Sequence, residues 1–139
     1  MSIPLSEIST PALAYLGDCV LELCVRELLV NQGISSSCRL NEVALEFVRA
    51  SKQAEAVIKI LPLLTEEENA AYRRGRNIGH TNTPKSATVG QYRMATGMET
   101  LFAYLHLAGR TERIKELFLL AYKDKAEKLS VTVQKTNKK

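Results

Sequence analysis

The chain is short of several things, and each shortage removes a class of function. No stretch approaches the roughly 20 consecutive apolar residues that a membrane span requires, so membrane insertion is not expected. Met1 to Thr10 has neither a basic leader region nor an apolar one, which argues against secretion and for the cytoplasm. Cysteine is scarce: Cys19, Cys24 and Cys38 form an odd set without zinc-like spacing. Cys19 and Cys24 fall in one helical stretch and read as reduced, small core or near-core residues. The two histidines, His80 and His106, join no Ser-His-Asp or Cys-His arrangement, and no glycine loop of the P-loop type is present. His106 reads as a core or rim residue, whereas His80 lies in a polar loop where it could touch phosphate. Neither an internal repeat nor a second domain is visible, so the 139 residues read as one domain. Its folded part is expected over about 5–129, with a solvated, flexible tail over 130–139. Ser130 to Val133 alternates like a strand but is too short and isolated to form one.

What is there is helix after helix. Thr10-Pro11 reads as an N-cap followed by proline in the first helical position. An apolar pattern through Leu13, Leu16, Val20, Leu21, Val25 and Leu29 then runs to a stop at Gly33. A second helix follows the Ser35-Ser36-Ser37 loop, and Ser51 is expected to cap a third that ends before Pro62. Thr65 to Glu68 is a capping box with acids in the first turn, opening a fourth helix that ends near Asn77. Gly79 to Ser86 is polar and rich in breakers, hence a loop. A long helix is expected from about Thr88 to Ala108, stopping at Gly109, and an amphipathic one opens at Thr111. The fold class is all-α.

Charge is unevenly shared. Residues 1–69 hold five Lys or Arg against ten Asp or Glu, and residues 70–139 hold fourteen against five. Between Arg73 and Arg93 there is no acid at all, only Arg73, Arg74, Arg76, Lys85 and Arg93. A one-sided basic field favours a polyanion, although arginines also suit a helix C-terminus.

A second shortage is more pointed. Asp18 and Glu99 each sit within an apolar helical stretch with no cation three or four residues away, where a structural ion pair would show. A charge drawn into an apolar setting is costly unless it is neutralised, paired or given a metal. Each acid also has a glycine close by, Gly17 and Gly97, and a glycine within a helix costs on the order of 1 kcal/mol. Close approach of another helix or a ligand would explain both. Two acids on different helices that converge would offer oxygen ligands suited to Mg²⁺ or Mn²⁺. Glu22 differs, because Arg26 stands four residues on in the favourable order for an ion pair.

Leu16-Gly17-Asp18 within Leu13 to Glu22 resembles the signature helix of the ribonuclease III catalytic domain. The runs Arg73-Arg74-Gly75-Arg76-Asn77, Pro84-Lys85-Ser86 and Tyr92 to Leu101 resemble one branch of it. That branch is Mini-ribonuclease III, bacterial enzymes that keep the catalytic domain without the double-stranded RNA-binding domain. Likeness extends over roughly Leu5 to Leu119, in order. The resemblance implies a single all-α catalytic domain acting as a homodimer on double-stranded RNA. It also implies Mg²⁺-assisted hydrolysis, with Mn²⁺ able to stand in, leaving 5′-phosphate and 3′-hydroxyl ends. The implied substrate is precursor 23S ribosomal RNA, presented with or without ribosomal proteins of the large-subunit precursor.

Asp18 and Glu99 match the family's catalytic, metal-binding acids. Without a separate RNA-binding module, Arg73, Arg74, Arg76, Asn77, His80, Lys85, Ser86 and Arg93 are expected to supply much of the RNA contact. The chain departs from larger ribonuclease III enzymes in having Ala14 and Thr96 where those carry two further acids. That puts a four-carboxylate, two-metal site in doubt and leaves Thr96 to hold a metal-bound water, with Glu22 as a further helper. Two rival readings stay open here: a non-catalytic RNA- or ribosome-binding protein on the same fold, and a structural helical dimer whose acids pair with remote basic side chains.

Overall fold

The computed structural model describes residues 3–78 and 87–137, and all regular structure among them is helical. A 3-10 turn at Leu5–Glu7 leads into α1 (Thr10–Asn31), α2 (Ser37–Val48) and α3 (Ala50–Ile60). After a second 3-10 turn at Leu61–Leu63 come α4 (Glu66–Arg76), α5 (Val89–Leu107) and α6 (Thr111–Asn137).

Helix α5 is the axis of the bundle. Its buried residues run Ala95, Thr96, Gly97 and Met98 in succession, then Thr100 to Ala103 and Leu105. A helix buried on nearly every side needs neighbours all round, and α1, α3, α4 and α6 supply them. The core joins Leu21, Val25 and Leu29 of α1 to Val57, Ile60, Leu101, Phe102 and Leu105, and α6 closes it with Leu117 and Tyr122. The Tyr122 hydroxyl donates to the Phe47 carbonyl at 2.8 Å, and its ring lies 5.0 Å from that of Phe118. This ties α6 to the end of α2.

Caps explain most boundaries. Thr65 and Glu68 form the expected capping box, and Thr88 with Gln91 forms another at the start of α5. Gly33 and Gly109 follow α1 and α5 with φ of 92° and 73°, the left-handed conformation in which a side chain is strained. Some expectations are corrected. The cap of α1 is Ser9, whose Oγ accepts from the Ala12 amide at 3.2 Å, so Thr10 already lies in the helix. Ser51 does not cap α3, which starts one residue after Arg49 with no side-chain cap. The stretch expected as a tail is helical as far as Asn137, because Val133 comes back against the core and is buried. Cys19 is exposed rather than near the core, and Cys24 is half-buried, its thiol pushed up to about 11 chiefly by burial. His106 stands exposed in the last turn of α5.

Candidate active site

Three glycines set the distances in the functional centre. A methyl group on Gly17 would stand 1.7 Å from the Glu99 carbonyl oxygen, so α1 lies backbone-on-backbone against α5. On the other side of α5, a methyl on Gly75 would meet Thr100 Oγ1 at 2.2 Å and the Thr96 carbonyl at 2.7 Å. A methyl on Gly97 would strike the Tyr72 ring at 2.6 Å. Another helix, not a ligand, is what the glycines beside the two acids admit.

That closeness brings Asp18 and Glu99 to one open cleft of about 450 Å³, lined also by Pro11, Ala14, Tyr15, Ile78, Tyr92 and Thr96. Asp18 is exposed at its edge, and Glu99 is half-buried. Glu99 has no basic partner among the described residues. Burial, and then the negative charge of Asp18, push its carboxyl up to about 8. Near neutral pH the pair therefore keeps a proton, which a divalent cation would displace. The donors are all oxygen, which suits a hard cation. Among the described residues no third His, Cys, Asp or Glu joins them.

Thr96 is buried in the same cleft, its Oγ1 donating to the Tyr92 carbonyl at 3.0 Å. Glu22 is elsewhere: it holds Arg26 at 3.0 Å and lines a separate cleft between α1 and α2. Ala14 lines the wall.

The basic segment ends at the same place. Arg73, Arg74 and Arg76 occupy the last turn of α4, Asn77 caps it, and Ile78 is in the cleft wall. Arg73 and Arg93 are exposed and make no ion pair among the described residues. Arg76 stands 5.8 Å over the Tyr72 ring and donates to Asn77 Oδ1 at 3.2 Å. Arg74 is exposed as well, but donates to Thr10 Oγ1 at 2.7 Å and to the Ile8 carbonyl. His80, Lys85 and Ser86 lie outside the described residues. One feature escaped sequence reasoning: Tyr15, one turn before Asp18, is 85% exposed, and nothing local marked it as other than core.

The described residues thus form a helical domain whose open cleft holds two acids without a basic partner beside a basic helix end, and the comparisons give the family. The ribonuclease III domain model matches residues 11–110. The chain is 42% identical to Mini-ribonuclease 3 of a Thermoanaerobacter species, over 82% of this chain and 80% of that one. It is 43% identical to the Mini-ribonuclease 3 of Enterococcus faecalis, over 76% of this chain and 82% of that one. A crystal structure of a Fusobacterium nucleatum protein superposes with a TM-score of 0.79 at 30% identity, covering 89% of this chain and 99% of that one. The chain belongs to the ribonuclease III domain family, and within it to the Mini-ribonuclease 3 group. It is an endoribonuclease. No helix among the described residues is long and apolar enough to cross a membrane.

Proposed function

We propose that this endoribonuclease hydrolyses double-stranded RNA at the Asp18–Glu99 cleft with a divalent cation, Mg²⁺ or in its place Mn²⁺. One observation carries the reading: Glu99 is drawn into the bundle against Asp18 with no basic side chain among the described residues to neutralise the pair. The bound cation would lower the pKa of a water and offset charge on the phosphate. Asp18 and Glu99 hold it, Glu99 after giving up its proton. Thr96 Oγ1, already donating to the helix backbone, is left as an acceptor for a water. Water attacks phosphorus, the bond to the 3′-oxygen breaks, and that oxygen takes a proton, leaving 5′-phosphate and 3′-hydroxyl ends.

Arg73, Arg76, Asn77 and Arg93, together with His80, Lys85 and Ser86, form the RNA-binding set, holding phosphates on either side of the cut. The duplex is read by shape, phosphates and 2′-hydroxyls, and its affinity falls steeply with salt. The working form is a homodimer. Tyr15, Leu23 and Val30 leave α1 with exposures of 85%, 60% and 61%, an apolar run beside the cleft suited to a second copy. The substrate is the stem of precursor 23S ribosomal RNA in the cytoplasm, where ribosomal proteins on the precursor can present it. Family likeness supports that role.

The test is cleavage of an end-labelled RNA duplex in Mg²⁺ at low salt. Asp18→Asn and Glu99→Gln should each lower the rate on the order of 10³-fold while duplex binding survives. Wild-type protein that binds but never cuts, even in Mn²⁺, would sink the reading. So would cutting that persists in both variants.

A further inference from the structure

Arg74 stands in the most basic stretch of the chain and is exposed, yet two of its donors are taken up by the protein itself. Its Nε donates to Thr10 Oγ1 at 2.7 Å, and a terminal nitrogen donates to the Ile8 carbonyl. Both partners belong to the entry of α1, more than sixty residues upstream. We infer that Arg74 is a latch, a positioning residue that fixes the first turn of α1 on the end of α4 and so sets Asp18 against Glu99.

Two further observations support the latch. First, an open cleft of about 440 Å³, with Leu5, Leu13, Ala70, Ala71 and Tyr104 in its walls, runs between that segment and α4 and α5. Arg74 also lines this cleft, and its two hydrogen bonds cross from α4 to the entry of α1. Charge-assisted hydrogen bonds of this kind are worth roughly twice neutral ones. Second, α1 has another fixed point, at Gly17, where its backbone meets that of Glu99. Thr10 lies about two turns, roughly 10 Å, from Gly17. Two fixed points define the line of a helix. Release the outer one and the turns before Gly17 are free to shift, carrying Pro11 and Ala14 of the cleft wall with them beside Asp18 and Glu99, while Leu21, Val25 and Leu29 keep the rest of α1 in the core. A shift of about 1 Å in such a constellation can cost on the order of 10²-fold in rate.

The catalytic half of this inference rests on the nuclease reading above, and the test separates the two. Amide exchange would be measured at Ala12 and Leu13, whose N–H groups bond to Ser9, in wild type, Arg74→Ala, Thr10→Val and Arg73→Ala. Duplex binding and cleavage would be followed on the same proteins against salt. Arg74→Ala should speed exchange at Ala12 and Leu13 about tenfold or more, with the Met98 and Glu99 amides unchanged. It should lower kcat about tenfold, leave KM within about twofold and keep the salt slope of binding. Thr10→Val, which removes one of the two acceptors, should shift the same readouts less. Arg73→Ala should instead raise KM and reduce the salt slope by about 1, as a phosphate contact does. Arg74→Ala that behaves like Arg73→Ala, with exchange at Ala12 and Leu13 unchanged, would overturn the latch. If wild type cuts no duplex, the nuclease reading fails while the exchange rates still decide the latch.

Discussion

Glu68 and Glu99 are both drawn into the same bundle, on helices that pack against each other, and the protein treats their carboxyls in opposite ways. Glu68 is 1% exposed and fully partnered. It accepts from Arg113 Nε and Nη2, each at 2.8 Å, and from the Thr65 amide at 2.9 Å. The Arg113 hydrogen bonds hold its carboxyl below the usual range. Glu99 is more open, yet its nearest charged companion is another acid, and its carboxyl is pushed up to about 8. Burial alone therefore does not set the state of a carboxyl. What singles out Glu99 for the proposed role is burial with no compensating charge among the described residues, which would leave a place for a cation from solution.

The contrast can be broken from either side. The largest expected effect lies at Glu68. Arg113→Ala leaves a buried carboxylate without its cation and should cost about 3–5 kcal/mol in denaturant unfolding. Adding Glu68→Gln to Arg113→Ala should recover part of that. A loss below about 1 kcal/mol would mean that Glu68 is not held as a charge.

Glu99 should respond with the opposite sign. Its folded pKa of about 8 lies above the ordinary 4.5. The folded state therefore keeps a proton that the unfolded chain releases as pH rises, and the stability this contributes is lost between those values. In metal-free buffer Glu99→Gln should be close to wild type at pH 5 and more stable by about 1–3 kcal/mol at pH 8, after allowance for solvent screening. Equal stabilities at pH 8 would remove the argument that the site is electrostatically unsatisfied. The smallest effect sharpens the comparison. Mg²⁺ should raise the melting temperature of wild type more at pH 8 than at pH 6, because binding displaces the Glu99 proton. In Glu99→Gln that pH dependence should flatten.

Much of the fold and of the cleft is legible in the sequence, and the reason is local. The meeting of Asp18 and Glu99 in one cleft is signalled by what is missing at helical spacing around them, and the Glu22 ion pair by the Arg26 that is present. The Thr65–Glu68 box is likewise written within four residues. What could not be read depends on contacts far apart in sequence. Arg74 counts as one more positive charge in a basic run until Ile8 and Thr10 arrive beside it. Glu68 reads as a helix-dipole acid until Arg113 covers it from 45 residues away. The segment after Ser130 looks like a tail because Val133 finds its apolar partners only in the folded bundle.

The three glycine contacts have a consequence for how this molecule can change. Where α1 meets Glu99 the spacing is set by main chain against main chain, with no side chain in between to act as a shim. Most of the interior can therefore drift, one aliphatic residue exchanged for another, while the two acids keep their separation. The same joint has no slack of its own. A single added methyl at Gly17 would wedge the helices apart beside Asp18 and Glu99. In a variant library this should be seen as a core that tolerates rewriting around Gly17, Gly75 and Gly97, with Gly17 the least tolerant of the three.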